Sequence, residues 1–94
     1  MNNIAFFLKT PNEMCRDVAA NVRARRKEVK LSQEHLSQKA GVSLGSLKRF
    51  ESSGEISLSS LVKLAITLGC ENDIAALFAK KQYASIQEII NEQL

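Results

Sequence analysis

The sequence predicts an all-α protein, a compact five-helix domain followed by a short C-terminal helical extension. Three observations carry that prediction. Serine precedes an amphipathic stretch at Ser32, Ser43 and Ser57. Each is flanked by an apolar residue and followed by another at the fourth helical position, in the pairs Leu31/Leu36, Val42/Leu47 and Ile56/Leu61. A serine oxygen satisfies an orphan N–H of the first turn, and the apolar pair staples the incoming chain to it. Thr10-Pro11-Asn12-Glu13 opens one more helix, with Thr10 as cap, Pro11 where its missing N–H costs nothing, and Glu13 closing a capping box. Finally, 94 residues with 45% hydrophobic and 24% charged content suit one soluble core, not two.

Residues 1–9 hold one apolar run, Ile4-Ala5-Phe6-Phe7-Leu8, of strand-like rather than helical length, and form an N-terminal arm. Helix 1 is expected to reach about Val29, with Met14, Val18, Val22 and Val29 on its inner face and Arg16, Arg23 and Lys27 outside. Helix 2, about 33–40, turns Leu36 and Ala40 inward with Leu31. Gly41 then suits the left-handed position after its end.

Helix 3, about 44–52, gathers Leu47, Phe50 and Glu51 on one side, and Gly45, Lys48, Arg49 and Ser52 on the other. Helix 4 runs from Leu58 to about Leu68. It sends Leu58, Leu61, Ala65 and Leu68 to the core, while Val62, Leu64 and Ile66 make it apolar on further sides. Gly69 ends it. Asn72 is expected to cap a short helix 5 carrying Ile74, Leu77 and Phe78. After Lys80-Lys81-Gln82, a second capping box at Ser85-Ile86-Gln87-Glu88 opens a final helix with Ile86, Ile89 and Ile90 on one face. The domain therefore spans 10–79 and the extension 80–94, a segment suited to dimerisation or partner binding.

Net charge is only +3, but its distribution is uneven. Between Met14 and Gly54 nine Lys/Arg face four acids, giving +5, whereas the remaining four bases and six acids give −2. Such a cluster is what a phosphate-contacting face requires. Chemistry of other kinds is poorly supported. His35 is the only histidine, and it has no Ser, Asp or Cys partner at a recognisable spacing. Without a Gly-rich phosphate loop or a nucleophile beside a base, no enzyme is expected. Cys15 and Cys70 read as free, partly buried thiols in apolar-patterned helices. With His35 they lack paired-ligand spacing, so neither metal nor cofactor is expected. No apolar run approaches the ~20 residues that span a bilayer. The arm is too short for a signal-peptide core and lacks a preceding charge. A cytoplasmic protein is the expectation.

Helices 2 and 3, joined by a turn of about three residues, describe a helix-turn-helix. The sequence resembles the DNA-binding domains of the phage-repressor, Cro and XRE type over roughly Val22 to Phe78. The marks are Arg23-Ala24-Arg25-Arg26-Lys27, Leu31-Ser32-Gln33-Glu34-His35-Leu36, Ala40-Gly41-Val42-Ser43 and Leu47-Lys48-Arg49-Phe50-Glu51, then Leu58, Leu61, Leu64-Ala65 and Leu68-Gly69, in order and at the right spacing.

The resemblance implies a phage-repressor-like fold and a transcriptional regulator, a repressor by expectation. Helix 2 would rest on the DNA backbone and helix 3 in the major groove of double-stranded DNA, with a homodimer reading two half-sites about 34 Å apart. Base reading falls to Leu44, Gly45, Ser46, Lys48 and Arg49. Phosphate binding falls to Gln33, whose matching residue touches the backbone in the family, and to Ser43, Arg23 and Lys27. Arg26 and Glu51 match a structural ion pair of the family. Leu44 and Gly45 depart from relatives that carry long amides there. The segment Phe50-Glu51 with Gly54-Glu55-Ile56-Ser57-Leu58 also resembles antitoxins paired with Hip-type kinase toxins. A protein toxin partner is therefore the alternative.

Overall fold

The computed structural model describes residues 9–81 and 90–92, and among these no strand occurs. Five helices follow one another: α1 Pro11–Glu28, α2 Gln33–Ala40, α3 Leu44–Ser53, α4 Leu58–Thr67 and α5 Glu71–Ala75. Residues 90–92 are helical, whereas the apolar run at 4–8 and the second capping box lie outside the described residues.

The caps follow the sequence signals. Thr10 Oγ1 accepts the Glu13 N–H at 3.1 Å and the Glu13 carboxylate accepts the Thr10 N–H at 3.0 Å. Ser32, Ser43 and Ser57 accept the N–H groups of His35, Ser46 and Ser60. Each serine cap sits beside its staple, and all six staple residues belong to one core cluster. Ala19, Leu36, Val42, Leu47, Phe50 and Leu64 are its buried members, with Val22, Leu31, Ala40, Ile56, Leu61 and Leu68 packed around them. Phe50 is the largest side chain in the centre. α1 packs mainly on α3, α2 lies against α3 and α4, and α5 against α4.

Three details differ from the sequence reading. The inner stripe of α1 is Ala19 and Arg26 with half-buried Val22, while Met14, Val18 and Val29 are exposed. Close approach causes this: Gly54 at the end of α3 abuts the backbone of Cys15 and Arg16. Ala19 is 1% exposed beneath this contact, and Arg26 is drawn in by a buried carboxylate. In α4, Leu64 is fully buried and Leu58 exposed, because Ile56 rather than the first helical residue supplies the packing contact.

α5 also differs. Asn72 lies inside it, and Cys70 occupies the cap position without a side-chain bond. The turn after α4, where Cys70 N–H reaches the Ala65 carbonyl at 2.7 Å, runs straight into α5 and leaves no room for an Asn cap. Leu77 and Phe78 lie beyond its end, and Phe78 is almost wholly exposed. Both cysteines are free, Cys15 exposed on α1 and Cys70 half-buried in the turn.

Candidate nucleic-acid interface

α3 presents two chemically different sides. Leu47 and Phe50 are buried, and the Glu51 side chain is only 5% exposed. Gly45, Ser46, Lys48, Arg49 and Ser52 are exposed, and Leu44 is half-buried. The cap, the staple and the buried pair Leu47/Phe50 fix the helix along its whole length, so the outer side is held rigidly. A Cβ built on Gly45 meets nothing within 4 Å, so packing does not require glycine there. Ser43 Oγ donates to Ser46 Oγ at 2.8 Å while accepting the Ser46 N–H, which leaves the Ser46 hydroxyl proton available. Lys48 is exposed and forms no ion pair among the described residues. Arg49 pairs with Glu55 at 3.1 Å.

A second basic surface lies on α1. Arg16, Ala20, Arg23, Ala24 and Lys27 line a shallow groove of about 300 Å³ whose floor is Glu51. That carboxylate is neutralised from below. Arg26 Nε and Nη2 donate to its two oxygens at 2.8 and 2.9 Å, and Gln33 Nε2 donates to Oε1 at 3.1 Å. Arg23 Nε stands 3.9 Å from the same oxygen. Burial pushes the Glu51 carboxyl up, but the hydrogen bonds of Arg26 and Gln33 and the charges of Arg26 and Arg23 outweigh it and hold it below the usual carboxylate range. With Glu51 matched by Arg26, the net charge left at the groove mouth is that of Arg16, Arg23 and Lys27.

A family model described as Helix-turn-helix (HTH_3) matches residues 22–71, just over half of the chain. The chain belongs to the XRE-type helix-turn-helix family. Comparison with curated proteins and with solved structures finds no match. In kind, the helix-turn-helix protein is a DNA-binding transcription regulator. Its motif is α2 and α3, crossing at the Gly41 turn, where φ is +71°. Among the described residues no group of His, Cys, Asp or Glu is arranged to hold a metal, and no helix is long and apolar enough to cross a membrane.

Two features of this surface were not singled out by the sequence pattern. Arg16 completes the basic groove, although its spacing from Arg23 and Lys27 was visible. Glu55 reaches Arg49 across six positions, outside the three- and four-residue spacings by which helical neighbours are recognised.

Proposed function

We propose that the helix-turn-helix protein is a repressor that reads a palindromic operator as a homodimer, with α3 in the major groove and α2 across the sugar-phosphate backbone. The observation that carries this reading is the rigid outer side of α3, polar and basic, opposite a fully buried Leu47 and Phe50. Leu44 supplies apolar contact to a thymine methyl, and bare Gly45 admits close approach of the backbone. Ser46, Lys48 and Arg49 supply the hydrogen-bonding groups, Arg49 with a fork that matches guanine O6 and N7.

Phosphates fall to Arg23 and Lys27 at the α1 groove and to the helix N-termini near Gln33 and Ser43, where unpaired N–H groups and the dipole favour an anion. Gln33 already donates to Glu51, so a phosphate there would meet its second amide hydrogen or the backbone. Ser43 spends its hydroxyl proton on Ser46, which leaves its neighbours' N–H groups for the same task.

Two-fold symmetry of the operator calls for a C2 pair. Support for one comes from an apolar groove of about 540 Å³ between α1, α4 and α5, lined by Val18, Val22, Leu61, Leu68, Ile74 and Leu77. Bound over a promoter, such a dimer represses by occupying the site that polymerase needs.

Selection of bound duplexes from a random pool, followed by sedimentation of the free and bound protein, tests this reading. The expected result is an inverted repeat with half-site centres about 34 Å apart, bound by two chains. A pool that never enriches would defeat the DNA-reading assignment. A monomer bound to a single half-site would defeat only the dimer.

A further inference from the structure

Arg49 on the reading helix does not stand alone. Its Nη2 donates to both carboxylate oxygens of Glu55, at 3.1 and 3.3 Å, although α3 has ended between them. Two features bring the acid back. Ser53 Oγ donates to the Arg49 carbonyl at 2.7 Å and accepts the Glu55 N–H at 3.2 Å, so one hydroxyl joins the two backbones. Gly54 turns the chain at φ +84°, clamped from behind by α1, whose Cys15 carbonyl carbon would lie 2.8 Å from an added Cβ. The turn that carries Glu55 is therefore fixed by the packed domain. Its carboxylate does not depend on a chance meeting of two long side chains.

We propose that Glu55 is a positioning and specificity-determining residue, which aims Arg49 at a base and withholds its charge from the phosphates of arbitrary DNA. This deepens the reading of α3 as the recognition helix and rests on it. The two oxygens of one carboxylate subtend too narrow an angle to use both Nη2 hydrogens. The other hydrogen and a neighbouring guanidinium nitrogen keep a complete two-donor edge, which is what guanine O6 and N7 require. Two phosphate oxygens can accept the same edge, but a phosphate brings its negative charge up to that of Glu55 beside Arg49, whereas guanine is neutral. The side chains are 68% and 64% exposed, so the pair is weak enough to adjust on binding. Specificity is a difference of affinities, and a repulsive element against the wrong partner raises it as surely as an attractive one.

The test measures binding of the full chain to the selected operator and to a random-sequence duplex of equal length, across a series of salt concentrations. The proteins are the parent, Glu55→Gln, Glu55→Asp, Arg49→Ala and the double variant Glu55→Gln/Arg49→Ala. Glu55→Gln is expected to tighten binding to the random duplex about threefold to fivefold. It should also steepen the log–log salt dependence by up to about 0.9, one phosphate's worth. Operator affinity should change less, so the ratio of the two falls.

Glu55→Asp keeps the charge but withdraws it from Arg49, and should lower the ratio as well. In the Arg49→Ala background the Glu55 change should leave the ratio unaltered. Equal effects with and without Arg49, or a Glu55→Asp variant matching the parent while Glu55→Gln does not, would reduce Glu55 to one diffuse negative charge and overturn the proposal. So would unchanged affinities, or a collapse of operator binding in Glu55→Gln, which would make Glu55 itself a base contact. A parent protein that binds neither duplex defeats the DNA reading instead, and is told apart because the parent alone reveals it.

Discussion

Arg26 and Glu51 meet edge to edge, Nε on Oε2 at 2.8 Å and Nη2 on Oε1 at 2.9 Å, with side chains only 10% and 5% exposed. Arg26 Nη1 also donates to the Leu31 carbonyl at 2.9 Å, and Gln33 to Glu51. One cluster thus joins α1, the turn before α2, the first residue of α2, and α3. Among the described residues no buried side-chain nitrogen or oxygen lacks a partner. Removing one member of such a pair strands the other charge away from water, at a cost of about 3–5 kcal/mol. Glu51→Ala should therefore lower the denaturant midpoint markedly, and weaken DNA binding only to the extent that unfolded chain accumulates. A midpoint equal to that of the parent would show the pair to be energetically idle.

The same carboxylate sets an acid limit. Its folded pKa lies below its ordinary value, so it contributes stability that is present above the unfolded-state value of about 4.3 and lost as pH falls through the folded one. Glu13, lowered by the Thr10 backbone N–H and hydroxyl, acts in the same direction at the surface. Thermal midpoints of the parent should decline as pH drops below about 4.3. Those of Glu51→Gln, lower at neutral pH, should decline less steeply over the same window. Parallel acid limbs in the two proteins would assign the loss to other carboxylates.

The glycines that end α2 and α3 adopt similar left-handed angles, φ +71° at Gly41 and +84° at Gly54, but their surroundings differ. A Cβ at Gly41 meets open space, whereas one at Gly54 would lie within 3 Å of the Cys15 and Arg16 backbone. Gly41→Ala should cost about 1–2 kcal/mol, the conformational strain alone. Gly54→Ala should cost about 1–3 kcal/mol beyond that, because α1 must be displaced. Urea unfolding of the two variants checks the order. Equal losses would mean that α1 moves aside freely.

Local chemistry was the readable part of this chain. Thr10, Ser32, Ser43 and Ser57 were visible as caps because capping depends only on residues within one turn. The two sides of α3 followed from periodicity, since a helix packed on one core has one inner stripe. Two kinds of feature were hidden. The inner stripe of α1 is set by how closely α3 approaches it, so Ala19 is buried while Met14 and Val18 are not, although the Arg26–Glu51 pair was legible through the family resemblance. Hydropathy alone ranks those residues the other way. The Arg49–Glu55 contact was hidden as well, because it requires the chain reversal at Gly54, and helical spacing cannot express that.

On the proposed reading, α3 reads bases while α1 holds phosphates. Arg49 carries a planar fork on the outer side of α3, whereas Arg23 and Lys27 flank a groove on α1 whose floor is a neutralised carboxylate. A fork aligned on guanine discriminates between bases by about 1–3 kcal/mol, while a cation on a phosphate favours every sequence alike. Arg49→Ala should therefore lose preference at one G·C position in each half-site and bind altered operators nearly as well as the original, with no loss of fold because the side chain is mostly exposed. Lys27→Ala should weaken all operators together and reduce the salt slope by about 0.9. Arg23→Ala should do the same, with a small added loss of stability because it stands 3.9 Å from Glu51. Binding of each variant to a panel of single-base operator changes at two salt concentrations separates the roles. If Arg49→Ala weakens every operator equally, Arg49 is a phosphate ligand and base discrimination passes to Ser46 and Lys48.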